Sequence, residues 1–144
     1  MKFMMIVKAD KNSEAGVMPS EAALAAMAKY NEQLVKAGIL LDATGLQPTS
    51  KGARVGLRNG KVQVTDGPFT ESKELIAGYW LIQVKSREEA IEWAKRIPFE
   101  HIPEQNGARE VEIRQLFELE DFGQSEAIEH HKEIGKEMAK KKAS

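Results

Sequence analysis

The chain has 144 residues, 42% of them apolar and 30% charged, which is the size and composition of one domain with a single core. Its 21 basic and 22 acidic side chains leave a net charge of −1, so there is no overall positive field to attract nucleic acid. The lack of cysteine excludes disulfides, thiolate metal sites and a cysteine nucleophile.

The amino end and the hydropathy pattern favour a cytoplasmic protein. No apolar run approaches the roughly 20 residues that span a bilayer. The opening segment "MKFMMIVKAD" is too short for a signal-peptide core and has no small-residue cleavage site. We therefore expect a cytoplasmic protein that binds neither membrane nor nucleic acid.

The first half of the chain alternates strand, helix and strand. Residues 3–7 are a short apolar run that predicts a buried first strand, followed by a loop, "DKNSEAGVMP". Ser20 is the predicted N-cap of a helix that ends at Gly38, and "ILLDATGL" is the predicted second strand. Apolar residues at helical spacing predict the buried face of this helix: Ala23, Met27, Tyr30, Leu34 and Ala37.

The second half begins with a hairpin. Asn59-Gly60 inside "ARVGLRNGKVQVT" predicts a type I′ turn, and the nearly all-apolar "AGYWLIQV" predicts a central strand. Ser86 and Glu89 have the spacing of a capping box, which predicts a second helix ended by Pro98. The buried stripe predicted for this helix is Ala90, Ile91, Ala94 and Ile97. After a loop, alternation in "REVEIRQLFEL" predicts a last strand with Val111, Ile113 and Phe117 on one face.

This order predicts an α+β fold, a ferredoxin-like βαββαβ core with an inserted β-hairpin. We assign residues 1–122 to this domain and residues 123–144 to a polar tail that is partly helical or disordered. Both sides of "AGYWLIQV" are apolar, whereas two helices cover only one sheet face. The pattern therefore predicts a homodimer in which sheet packs on sheet.

The stretch "VTDGPFTESKELIAGYWLIQV" resembles the DGPF group of the YCII-related family. The resemblance continues through "SREEAIEWAKRIP" and "GAREVEIRQLFE" and covers about residues 1–122. The residues that match the DGPF signature are Asp66, Gly67, Pro68, Phe69, Glu71, Lys73 and Glu74.

The resemblance implies a dimeric α+β barrel. Related proteins include a dehydrochlorinase of aromatic-ring breakdown, and DGPF-type proteins are often encoded beside extracytoplasmic-function sigma factors. The wider family is associated with a His and Asp pair whose histidine lies on the first helix. The corresponding helix here, "SEAALAAMAKYNEQLVKAG", has no histidine, which weakens a catalytic interpretation.

Asp66 and His101 are the candidate catalytic residues. Asp66 ends a strand beside a predicted dimer cleft, where burial would suit a carboxylate to proton transfer. We favour a structural turn in which Asp accepts backbone N–H bonds, glycine allows positive φ and proline fixes the next φ. His101 has a titration range suited to acid–base work, but as a lone loop histidine it is more simply explained as an exposed side chain.

Arg54, Tyr79 and Lys8 are candidate ligand-binding residues for a small acid. Each has an ordinary alternative, as a strand surface charge, a half-buried strand aromatic and a strand-end charge. We expect no metal site, because His130 and His131 are helical neighbours that point about 100° apart. We expect no cofactor, because the chain has no phosphate-binding glycine loop, dinucleotide fingerprint, zinc-protease motif or nucleophile elbow.

Two functions stay open on the sequence. The favoured one is a dimeric module that binds a small ligand or a protein partner, with a link to sigma-factor regulation implied by the resemblance alone. The alternative is a cofactor-independent lyase or isomerase, resembling the dehydrochlorinase, that acts on a small acidic or aromatic metabolite through Asp66 and His101.

Overall fold

The computed structural model describes residues 1–70 and 73–143, so Glu71 of the signature lies outside the described residues. Within these ranges there are six strands and four α-helices. In chain order they are β1 (Lys2–Lys8), α1 (Lys11–Glu14), α2 (Glu21–Lys36), β2 (Leu40–Gly45), β3 (Ala53–Arg58), β4 (Lys61–Asp66), β5 (Ile76–Gln83), α3 (Arg87–Ala94), β6 (Val111–Gln115) and α4 (Glu126–Ala143). Short 3₁₀ turns cover Thr49–Lys51, Phe99–His101 and Leu119–Phe122.

The main sheet has the strand order β2-β5-β1-β6, and every neighbouring pair is antiparallel. β5 is a central strand, as its continuous apolar sequence predicted. β3 and β4, which follow β2 and precede β5 in the chain, form a separate two-stranded sheet. Asn59 and Gly60 make the turn that joins them, with φ angles of 53° and 76°. The predicted α+β fold, a ferredoxin-like core with an inserted hairpin, is confirmed.

Helices α2 and α3 cover one face of the main sheet and form the core with it. Ser20 caps α2 by accepting the Ala23 N–H, and Ser86 caps α3 by accepting the Glu89 N–H, both at 3.1 Å. The core side chains on this face come from the central strands and both helices: Phe3, Met5, Tyr30, Leu34, Trp80, Ile82, Ala90 and Ala94.

Tyr30 brings a hydroxyl group into this core. Its ring meets Trp80 edge-on at 5.5 Å, and its hydroxyl donates to the Trp93 carbonyl at 2.8 Å. Burial raises the pKa of Tyr30 well above its usual value, and the positive charge of Arg96 opposes this only in part. The hydroxyl therefore stays protonated and keeps its hydrogen bond across the ordinary pH range.

The loop predicted after β1 contains a short helix, so that prediction was wrong. Asp10 accepts the Ser13 N–H at 2.8 Å, and the Ser13 hydroxyl accepts the Asp10 N–H at 2.8 Å. This reciprocal capping box nucleates one helical turn in a segment that has no apolar periodicity.

The last strand is shorter than predicted, and Phe117 does not extend its buried face. The Leu116 N–H donates to the Lys2 carbonyl at 2.9 Å, which is where β1 begins. No β1 residue remains beyond this point to pair with Phe117, so its side chain is 76% exposed. Its ring contacts Phe122 with centroids 4.8 Å apart. Residues 126–143 of the tail form α4, which carries no buried residue.

Candidate functional site

The DGPF segment, Asp66 to Phe69, forms a corner that packs against the turn at Thr49. The Phe69 N–H donates to the Thr49 hydroxyl oxygen at 3.0 Å, and the Gly67 N–H donates to the Gly52 carbonyl at 3.0 Å. The Thr49 hydroxyl in turn donates to a Glu14 carboxylate oxygen at 2.5 Å. The corner is thus held by a hydrogen-bond chain that runs from α1 through the turn to the signature.

Gly67 is required in this corner by close backbone approach. A Cβ atom at this position would lie 1.8 Å from the Thr49 carbonyl oxygen and 2.6 Å from its carbon. Gly67 is not among the glycines with positive φ, so the reason predicted from turn preferences was wrong. The signature needs glycine here because a second backbone segment occupies the space of a side chain.

Asp66 is an exposed residue at the end of β4, and within the described residues its carboxylate makes no hydrogen bond. The acceptor that fixes the corner is the Thr49 hydroxyl oxygen, a contact that the sequence did not indicate. Arg54 lies beside the corner, with its guanidinium carbon 3.8 Å from the centre of the Phe69 ring.

His101 lies in the 3₁₀ turn that follows α3, whereas Asp66 is the last residue of β4. Its side chain is 24% exposed, and its Nε2 atom lies 3.9 Å from a Glu100 carboxylate oxygen. In the described part of the chain, no hydrogen bond or ion pair joins it to Asp66. The catalytic roles of Asp66 and His101 stay predictions.

The face of the main sheet opposite the helices, which we call the open face, carries both Tyr79 and Lys8. Strand alternation and pairing place Met4 and Ile6 of β1 on this face beside Leu81 and Tyr79 of β5. All four are half-buried and lie outside the core cluster. They form an apolar centre across the two middle strands.

One edge of the open face carries a hydrogen-bonded carboxylate and phenol. The Tyr79 hydroxyl donates to Asp42 Oδ2 at 3.1 Å. Asp42 Oδ1 accepts the Ala43 N–H at 2.9 Å and the Thr44 hydroxyl at 3.2 Å. These bonds orient the carboxylate and leave the phenol oxygen able to accept a hydrogen bond from a bound molecule.

The other edge carries two cations around one carboxylate. Lys8 Nζ lies 3.3 Å from one Glu112 oxygen, and Arg114 Nε lies 3.8 Å from the other. The Lys8 side chain is 23% exposed, whereas that of Arg114 is 72% exposed. Two positive charges against one negative charge leave this edge with an excess of positive charge that favours an anion.

Asp42 is the site residue that sequence reasoning missed. The pairing register shifts between Leu40 and Asp42, and this bulge turns the Asp42 side chain to the open face beside Leu81. Simple alternation from Leu40 would place Asp42 on the helix-covered face. A single aspartate inside the apolar run "ILLDATGL" is the signal that was present in the sequence.

The described residues hold no group of three or more His, Cys, Asp or Glu side chains arranged to bind a metal ion. None of the helices in the described ranges is both long enough and apolar enough to cross a membrane.

The fold and its two sheet faces define an α+β protein of the ferredoxin-like type with one helical layer. Residues 1–117 match the model of the YCII-related domain, and the chain belongs to that family. It is also 35% identical over 69 residues to an uncharacterised protein, R00369, of Rhizobium meliloti (strain 1021). That alignment covers 48% of this chain and 56% of the relative, so the match spans about half of each.

Proposed function

We propose that the protein is a homodimeric module that binds a small organic acid on the open face of its sheet. The observation that carries this proposal is the combination on one face of an apolar centre, the Asp42–Tyr79 pair and the cations around Glu112.

A second copy over the open face accounts for its apolar centre. Met4, Ile6 and Leu81 occupy the two middle strands, where a sheet with one wet face would carry polar side chains. Stacked sheets lie about 10 Å apart, which leaves room between them for side chains and, where these are short, for a small ligand. An isologous pair of open faces would supply every polar group twice.

The polar edges support a ligand with an acidic group and an apolar or aromatic body. The body would rest on Met4, Ile6 and Leu81, as most ligand pockets are lined by apolar side chains with a few placed polar groups. Its carboxylate would lie toward Lys8 and Arg114, and a hydroxyl or amine would donate to the Tyr79 oxygen.

The lyase or isomerase alternative has less support from the geometry. It needs Asp66 and His101 to act on one substrate, and the described residues show no contact between them. A link to sigma-factor regulation rests on the resemblance of the signature alone, and it stays a prediction together with the assignment to the DGPF group.

Two measurements test the proposal. Sedimentation should show a dimer for the native chain and a folded monomer for Leu81→Arg, because the new charge would lie in the sheet interface. Leu24→Arg is the matched control, since Leu24 is 51% exposed on α2 and should leave the dimer intact. A native chain that sediments as a monomer would contradict the dimer.

The ligand is tested by a thermal-shift screen against aromatic and aliphatic carboxylates. A compound at about 100 times its dissociation constant stabilises the native state by about 2.7 kcal/mol. We expect the shift to be lost in Lys8→Gln and kept in the control Lys95→Gln at the C-cap of α3. A shift that survives equally in both variants would place the ligand elsewhere.

A further inference from the structure

The β3–β4 hairpin has one apolar face that the described residues leave uncovered. Cross-strand pairing puts Val55 opposite Val64 and Leu57 opposite Val62, all on the same side. These four side chains are between 66% and 74% exposed. The opposite side carries Arg54, Gly56, Arg58, Lys61, Gln63 and Thr65.

Such a hairpin needs a partner surface. A two-stranded hairpin is at best marginally stable in water, and it gains independent stability when its apolar face packs on something else. Four aliphatic side chains on one side and three cations on the other are the pattern of a sheet buried on one face. Large exposed apolar patches of this kind mark interaction sites.

A complementary surface lies elsewhere on the same chain. The segment of residues 117–122, which we call the acidic turn, carries the contacting rings of Phe117 and Phe122, which are 76% and 57% exposed. Between these rings lie Glu118, Glu120 and Asp121. Glu118 and Asp121 cap the 3₁₀ turn, so Glu120 is the carboxylate most available to a cation.

The topology keeps the two surfaces apart within one chain. The hairpin leaves the sheet where β2 ends and β5 begins, at the end marked by the Gly45–Gly78 pair. The acidic turn follows β6, whose last residues pair with the start of β1 at the opposite end. A two-fold axis running across the strands of two stacked sheets would bring each hairpin beside the acidic turn of the other copy.

We propose that the β3–β4 hairpin is an arm that docks on the acidic turn of a second copy of this chain. Its aliphatic side chains cover Phe117 and Phe122. Arg58 and Lys61 project from the other side at the tip, so they lie at the rim of this contact, where their long side chains reach around the turn to Glu120. The arm extends the homodimer proposed above, on which it rests, but uses different residues. Hairpin strands of six residues reach about 20 Å, enough to cross from one copy to the next.

The charge distribution along the arm agrees with this docking. Both tip cations flank the Asn59-Gly60 turn, whereas Asp66 lies at the base of the hairpin, on the aliphatic side. An acidic surface is therefore met by the end of the arm that carries positive charge. The rim pairs add orientation and specificity, and the apolar contact contributes most of the affinity.

Hydrogen exchange of the full-length chain across a range of concentrations tests the arm. The probes are the β3–β4 amides, and the dimer dissociation constant is measured by sedimentation on the same samples. We expect hairpin protection to rise with the dimer fraction. Arg58→Glu and Glu120→Lys should each weaken association at least tenfold, and the double variant should recover most of the loss. Arg87→Glu on α3 is the matched control and should change neither readout.

The outcomes separate the arm from the sheet-face dimer. If the native chain dimerises and Leu81→Arg abolishes the dimer, but hairpin amides exchange equally fast at all concentrations, the arm proposal is wrong and the sheet-face dimer stands. If the two charge reversals do not rescue each other, the acidic turn is not the docking surface. A native chain that stays monomeric overturns both proposals.

Discussion

Replacing Gly67 with alanine tests whether the DGPF signature is a built structural corner. The new Cβ would lie 1.8 Å from the Thr49 carbonyl oxygen, where real Cβ contacts stay above 3.0 Å. The two backbone segments must therefore separate by at least the difference, 1.2 Å. Because the obstacle is backbone, no side-chain rotation relieves the contact.

The cost follows from the contacts that this separation breaks. The hydrogen bonds from Gly67 N–H to Gly52 and from Phe69 N–H to Thr49 are both 3.0 Å long and would stretch beyond bonding range. Each contributes about 1 kcal/mol, and the Arg54–Phe69 contact adds about 0.5 kcal/mol. We expect the free energy of unfolding to fall by about 2 to 3 kcal/mol.

The assay is thermal unfolding of Gly67→Ala beside Gly56→Ala. Gly56 lies in β3 of the same hairpin, and a Cβ there would meet nothing within 4 Å. At about 3 °C per kcal/mol for a chain of this length, Gly67→Ala should melt about 6 to 9 °C below the native chain. Gly56→Ala should melt close to it. Equal melting temperatures and equal hydrogen exchange at the corner in the two variants would refute the packed corner.

Two further changes test named contacts. Thr49→Ala removes the acceptor of Phe69 N–H and the donor to Glu14, and it should lower the free energy of unfolding by about 2 kcal/mol. Thr49→Ser keeps the hydroxyl and should retain most of that free energy. Equal urea midpoints for the two variants would contradict the role of the hydroxyl. Tyr30→Phe tests alkaline stability. The pKa of Tyr30 is higher in the folded than in the unfolded state. Its contribution to the free energy of unfolding is therefore complete below the unfolded pKa of about 10, and it declines above that pH by about 1.4 kcal/mol per pH unit. Urea midpoints between pH 8 and 11 should therefore fall less steeply in Tyr30→Phe, and parallel curves would contradict the assignment.

The sequence predicted those elements whose signals are local. The Asn59-Gly60 turn, the Ser20 cap and the continuous apolar run of β5 each depend on residues a few positions apart, and each has the predicted structure. The end of β6 is different, because it depends on where β1 begins. Alternation continues as far as Phe117 in the sequence, but the strand it would pair with does not.

The candidate site was only partly predictable for the same reason. Tyr79 and Lys8 were named from the sequence as a strand aromatic and a strand-end charge, and the structure places both on the open face. Asp42 reaches that face through a bulge after Leu40, which no residue preference in "ILLDATGL" indicates. Thr49 meets Phe69 across 20 positions of sequence, so its role in the signature needed the tertiary structure.

If the arm docks as proposed, the DGPF signature divides into residues that act within one chain and a residue, Asp66, that acts on association. Gly67 and Phe69 are fixed by Thr49, whatever the rest of the molecule does. Asp66 lies on the same side of the hairpin as Val64 and Val55, at the base, so a surface that extends over the base of the aliphatic side also covers this carboxylate. A covered carboxylate requires a hydrogen-bond donor or a cation, because leaving it unpaired costs several kcal/mol. If the second copy covers this end of the arm as well, it supplies the partner of Asp66. Asp66→Asn should then change the dimer dissociation constant and leave the melting temperature of the monomeric Leu81→Arg background unchanged, and an unchanged dissociation constant would show that Asp66 stays exposed in the dimer.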